Sequence, residues 1–327
     1  MSTRSTSTVP RAWRSLACAL LVAGSLAACG DDNDSSTTGS SSTPASTAPT
    51  SSPTPAAPAA VVLGVQGVDY GYVLSQPSVP AGPVRIDFSN PGKEYHMLEG
   101  GLLLAGKTIA DVQKALMSDD QGAFATVFAE PDGEALGGPN VLAPGAATSV
   151  TVTTFKPGTY AFLCFFSVKG TQAPHFTRGM LTSLEVTAAT SPAPAEPTAD
   201  AEISIDEKGI TGVEALKSGK GTFKITNTGT RPHSLPVLAY VGDTTFEVAD
   251  KYFEDTLDKG KPESPNPPAR IEGGLSRLAP GAVTYLHLDL KPGRYAVLDI
   301  EGSTDEEEAP EYYKVNPKTS KFEFTVV

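Results

Sequence analysis

Cysteine is scarce in this chain. Three occur in 327 residues, at positions 18, 29 and 164, so no framework of several disulfides can hold the fold together. Positive charge is also in deficit. Twenty-five Lys and Arg face 37 Asp and Glu, for a net charge of −12. That balance lacks the basic footprint of a nucleic-acid-binding protein and leaves a well-solvated acidic surface, compatible with a basic protein partner. No apolar run long enough to span a bilayer follows Cys29. There is no Gly-rich phosphate loop and no nucleophile elbow, which removes two common signatures of phosphoryl and acyl transfer. Histidine is limited to His96, His175, His233 and His287. By contrast Gly and Pro are plentiful, at 31 and 28, which favours short strands and many turns over helical bundles.

The first 60 residues carry no core. Arg4, Arg11 and Arg14 precede an apolar run from Leu16 to Ala28 that is too short for a mature membrane helix and reads as a signal segment over residues 1–29. The run ends in Leu26-Ala27-Ala28-Cys29, which resembles the lipobox of bacterial lipoproteins and implies lipidation of Cys29. Residues 30–60 are rich in Ser, Thr, Pro and Ala and are expected to stay extended as a tether. The implied location is extracytoplasmic, lipid-anchored to the bacterial cell membrane. With Cys18 lost and Cys29 acylated, Cys164 is left unpaired in an oxidising compartment, so it is expected to be buried, metal-bound or reactive.

An internal duplication organises the rest. GPVRIDFSNPGKEYH from Gly82 matches GKGTFKITNTGTRPH from Gly219, with Gly, Asn, Gly and His coinciding at 82/219, 90/227, 92/229 and 96/233. GGPNVLAPG from Gly137 matches GGLSRLAPG from Gly273, and KPGTYAFLC from Lys156 matches KPGRYAVLD from Lys291. Two domains follow, at 61–188 and 200–327, joined by a Pro-Ala linker at 189–199 and expected to fold around independent cores. Val84, Ile86 and Phe88 alternate with Arg85 and Asp87, and Leu286, Leu288 and Leu290 with His287 and Asp289. These are half-buried strands, and Pro-Gly pairs at 144–145, 157–158, 280–281 and 292–293 mark the turns between them. Each copy also holds one helix. Thr108 and Asp111 box the first, with Ile109, Val112 and Leu116 on one face. Thr244 and Glu247 are expected to box the second, with Phe246, Ala249, Phe253 and Leu257 on its face.

The chemistry-bearing residues cluster in the first copy. An apolar strand ends at Cys164, and His175 and Met180 follow in HFTRGM. His96 lies beyond Asn90 on an earlier strand. Residues 61–187 thereby resemble the cupredoxins, the blue-copper proteins. The motifs are Asn90-x5-His96, Pro157-Gly158-x-Tyr160-x3-Cys164 and His175-x4-Met180. The resemblance implies an all-β fold of two tandem cupredoxin-like Greek-key β-sandwiches, each with a short inserted helix. It also implies one copper, in the first domain only, held by Cys164, His96 and His175 with Met180 as a weak axial ligand. Thiolate and thioether hold Cu(I), while imidazole suits both redox states. Phe162, Phe165, Phe166 and Phe176 would supply a water-excluding shell. Ten residues separate Cys164 from His175, a longer loop than most small members use, so His175 is the ligand whose place the fold must decide.

The second copy keeps His233 but has Asp299 where the first has Cys164, and no Met occurs after Met180. It is expected to bind no copper in this manner, and the acidic run at 305–308 reads as a solvated loop. Four His are too few for a trinuclear copper cluster beside a blue site, so the chain is expected not to be an enzyme. Two readings stay open. One is a tethered copper protein for electron transfer or copper handling, with a redox or copper-handling protein as partner. The other is a metal-free cell-surface interaction module on the same scaffold.

Overall fold

The computed structural model describes residues 60–118, 120–129, 135–168, 171, 173–191, 193–258, 264–301 and 321–327. Cys29, the signal segment, nearly all of the tether and the 305–308 acidic run lie outside the described residues. The first repeat contributes β1 Val61–Val68, β2 Gly71–Leu74, β3 Ser78–Pro80, β4 Gly82–Ser89, β5 Glu99–Leu102, helix α1 Ile109–Leu116, β6 Ala147–Phe155, β7 Gly158–Leu163 and β8 Leu181–Thr187. The second contributes β9 Ala201–Asp206, β10 Gly209–Thr211, β11 Lys220–Asn227, β12 His233–Tyr240, α2 Phe246–Phe253, β13 Ala269–Leu278, β14 Val283–Asp289, β15 Gly293–Leu298, β16 Ile300–Glu301 and β17 Lys321–Val326.

Each repeat packs two sheets face to face, as a cupredoxin-like sandwich does. In the first, the order β2-β1-β4-β6 faces β3-β8-β7-β5; in the second, β10-β9-β11-β14 faces β13-β12-β15-β17. The alternation seen in the sequence is realised on β4. Val84, Ile86 and Phe88 are buried, while the Arg85 and Asp87 side chains are more than 40% exposed. Each such buried side chain contributes roughly 1.5–3 kcal/mol of transfer free energy. Helix α1 starts at the expected cap, with Asp111 N–H donating to Thr108 Oγ1 and Thr108 N–H to Asp111 Oδ2. Helix α2 differs. Its N-cap is Thr245, which makes no side-chain cap bond, and Thr244 instead donates its hydroxyl to Val241 O at 2.7 Å. The preceding Gly-Asp turn claims Thr244 and moves the helix start one residue on. Phe246, Ala249 and Phe253 face the core as expected.

The repeats meet edge to edge. Strand β6 pairs antiparallel with β14, so one eight-stranded sheet runs through both sandwiches. The apolar interior is continuous as well: Leu63, Phe88 and Leu142 share a cluster with Leu238, Phe253 and Ile271. Along the seam the pairing is symmetric about equivalent positions. Val150 lies opposite Leu286 and Pro139 opposite Leu275, each pair related by the repeat offset of 136. Leu136 pairs with Leu278 and Leu142 with Glu272 on either side of that point. This is the isologous pattern of a twofold dimer built within one chain. It also buries Thr151, whose hydroxyl meets His287 Nε2 at 2.8 Å, although its strand position reads as solvent-facing in the sequence.

Candidate metal centre

The repeated Asn and Gly set up the approach to the site. After β4, Asn90 Oδ1 accepts the Gly92 N–H, and its Nδ2 donates to Glu94 O and Leu142 O, both at 2.8 Å. The same three bonds recur around Asn227. The turn must pass close to its neighbours, because a side chain at Gly92 would press on the Asp69 carboxylate and on His96 Nε2. His96 then pairs with Leu142, its N–H donating to Leu142 O at 3.1 Å and its C=O accepting Leu142 N–H at 2.8 Å.

Cys164 follows directly on β7. Its N–H donates to Met180 O at 3.2 Å, and its C=O accepts the Phe176 N–H at 3.1 Å. The long loop does not carry His175 away, because its base closes. Ser167 and Pro174 form an antiparallel bridge, Val168 N–H donates to Ala173 O, and His175 N–H donates to Phe166 O, both at 2.7 Å. His175 then opens a single 3-10 turn ended by Gly179 at φ 108°, and Met180 N–H returns to His175 O. Met180 is fully buried in the apolar cluster that holds Cys164.

His96, Cys164 and His175 are each 0% exposed, and one ligand atom from each lies within 4.8 Å of the others. Cys164 Sγ is 3.5 Å from His175 Nδ1. The two imidazoles sit 5.1 Å apart between centroids, at 65°. Their outer nitrogens are held by carboxylates: His96 Nε2 by Asp69 Oδ1 at 3.2 Å and His175 Nε2 by Glu94 Oε2 at 3.0 Å. Tyr70 donates its hydroxyl to Glu94 Oε1 at 2.7 Å and packs edge-on against the His175 ring. That leaves His96 Nδ1, which is buried and has no hydrogen-bond partner. An unsatisfied buried nitrogen costs roughly 1–3 kcal/mol, and a metal ion beside the thiol would satisfy it.

The electrostatics prepare neutral ligands. Burial, and then the facing charge of His175, lowers the His96 pKa to about 4 against the pull of Asp69. Burial likewise lowers His175, opposed by Glu94. Burial raises the Cys164 thiol to about 12, opposed by the backbone N–H groups of Met97 and Phe166. A thiol with so high a pKa stays protonated without a metal and loses its proton on coordination. The donor set, one soft sulfur and two imidazoles, all buried, fits copper. Phe162 and Phe176 are buried beside it, and Phe165 and Phe166 are partly buried against the same clusters.

The outer carboxylates are absent from the motif reading, yet the duplication carries a signal for one of them. Asp69 follows the first strand of its repeat, and Glu207 follows the first strand of the other, where it accepts the Thr230 N–H at 2.5 Å. Asp69 accepts the Lys93 N–H in the same way. Glu94 differs: the matching residue is Arg231. The carboxylate facing His175 therefore occurs only in the copy that has the thiol. In the second repeat the ligand position is closed by a pair of its own, with His233 Nδ1 2.7 Å from Asp299 Oδ1 and both side chains buried.

No protein-family model matches the chain, and no curated protein matches it in sequence. Solved structures with similar folds include an auracyanin from the photosynthetic bacterium Roseiflexus castenholzii. It is 20% identical with a TM-score of 0.26, and the match covers 40% of this chain and 99% of that one. Auracyanin B is 27% identical over 40% of this chain and 91% of its own, at a TM-score of 0.25. A multicopper oxidase is 13% identical over 81% of this chain and 88% of its own, at 0.23. The cupredoxin-like character of the fold rests on the two-sheet topology and on where it places His96, Cys164 and His175.

Proposed function

We propose that the chain is a membrane-tethered, extracytoplasmic cupredoxin-like protein. In its first repeat His96, Cys164, His175 and Met180 would hold one copper. The single observation that supports this most is the buried triad itself, in which His96 Nδ1 has no partner beside the only described thiol. A bound copper supplies one-electron chemistry between its two oxidation states. The chain's own residues supply the rest. Asp69 and Glu94 fix the ring orientations, and the N–H groups of Met97 and Phe166 stabilise a thiolate. The surrounding Phe side chains exclude water. Complete burial of all three ligands favours electron transfer over delivery, since a carrier must present its ligands to the receiving protein. We take the protein to be a redox carrier and not an enzyme, with lipidation of Cys29 holding it at the membrane and a redox protein as partner.

Copper titration of the full-length Cys29→Ser chain tests the site. One equivalent of Cu(II) is expected to produce intense thiolate-to-copper absorption in the visible, absent in a Cys164→Ser derivative. Binding without that band, or a band unchanged by the substitution, overturns the reading.

A further inference from the structure

The second repeat carries no thiol, yet it lies against the strand that holds His96. Residues 135–143 of the first repeat form an irregular strand with a neighbour on each side. On one side Leu142 exchanges both of its backbone hydrogen bonds with His96. On the other, the segment is laced to β13 of the second repeat. Gly137 N–H donates to Arg277 O at 2.6 Å, Asn140 N–H to Gly274 O at 3.0 Å and Ala143 N–H to Ile271 O at 2.8 Å. Ser276 N–H returns to Gly138 O at 2.7 Å, and Asn140 Nδ2 donates to Leu275 O at 2.6 Å. The order across the molecule is His96, then Leu142, then Glu272 of β13. Without β13 the segment would be an edge with unpaired backbone groups, and Leu142 would be free to move with His96.

We propose that the second repeat is a positioning element of the metal centre, with β13 holding residues 135–143 and these in turn holding His96 in register with Cys164 and His175. The proposal rests on the copper-site reading for its spectroscopic test, but its structural part can be measured without metal. It gives the ligand-free repeat a task that accounts for the isologous seam: the surface on the first repeat that β13 covers is the one backing a ligand. His96 is held within its own sandwich by Asp69 and Leu142, and Leu142 is backed from outside it by β13, whereas Cys164 and His175 are held wholly within it through Met180, Phe176 and Phe166.

A wedge in the seam tests this in the full-length Cys29→Ser chain. Gly273 stands at φ 124°, and a Cβ there would run into Thr148 of β6. Gly273→Ala therefore pushes β13 away while touching no ligand. Gly219→Ala is the control. That glycine is also at positive φ, at 68°, and its Cβ would strike Val326 of β17, at the opposite edge of the β13 sheet. Without metal, hydrogen exchange of the His96 amide is expected to speed up about tenfold or more in Gly273→Ala and to stay at the parent rate in Gly219→Ala. With copper, Gly273→Ala alone should shift the thiolate–copper band and weaken affinity by about ten- to a hundredfold, the range seen when support behind a ligand is lost. If Gly273→Ala fails to fold, Asn140→Ala takes its place by removing one cross-repeat bond. Equal changes in both glycine variants, or a parent-like His96 amide in the seam variant, overturn the proposal. If the parent gives no thiolate–copper band, the copper reading fails and His96 exchange alone decides the positioning role.

Discussion

Replacing His96 with Leu separates what the site costs the fold from what it does. In the metal-free protein His96 has a pKa near 4, against an ordinary value of 6.5, because burial and His175 disfavour its charged form. The native state thus binds fewer protons than the unfolded chain across that window. Stability is fully present above pH 6.5 and is lost as pH falls toward 4. Linkage gives about 2 kcal/mol lost between pH 7 and pH 5 from this residue, and about 3 kcal/mol by pH 4. His175, lowered in the same direction, adds to the loss. His96→Leu removes the titration and also the unpartnered Nδ1. Asp69 keeps the Lys93 N–H at 2.8 Å and remains about 31% exposed, so it is not stranded. At pH 7 the variant is expected to match or exceed the parent in metal-free stability. Between pH 7 and pH 5 it should lose about 2 kcal/mol less. Urea denaturation of both metal-free proteins at four pH values in that range measures the difference. Parallel pH dependences, or a variant several kcal/mol weaker at pH 7, would refute the account of His96 as a strained, uncharged, ligand-ready group.

Cys29→Ser is expected to move the protein from the membrane to the soluble fraction, checked by fractionation; retention at the parent level would place the anchor elsewhere. Fragment 61–188 should still melt cooperatively, but below the full chain and with concentration-dependent association. It bares the β6 edge, whose partner across the seam is its own equivalent strand β14. Calorimetry and sedimentation check both points, and the absence of any transition would refute independent folding. Gly274→Ala should strongly destabilise the whole chain, because a Cβ at that φ of 100° would overlap the Leu235 carbonyl. A thermal midpoint unchanged within a degree would contradict the β12–β13 register.

The sequence by itself determined the all-β two-sandwich architecture and singled out His96, Cys164, His175 and Met180 as candidate ligands. Those properties are written locally. Period-2 alternation on β4 and β14, Pro-Gly turns and the Thr108 cap depend on neighbours a few residues away. The candidate ligand set came from the resemblance to the cupredoxins, carried by the motifs around Asn90, Cys164 and His175. Only the tertiary structure decided whether His175 returns to Cys164, because that depends on Ser167 and Pro174 closing the loop base, a pairing no local pattern specifies. It alone brought Asp69 and Glu94 onto the outer imidazole nitrogens. It also joined the repeats through β6 and β14, burying Thr151. A linker can be read from Pro and Ala, but whether the two edges it connects will meet depends on backbone groups that every residue carries alike. The hold of β13 on residues 135–143 is likewise mostly main-chain, joined by one side-chain bond from Asn140 to Leu275 O.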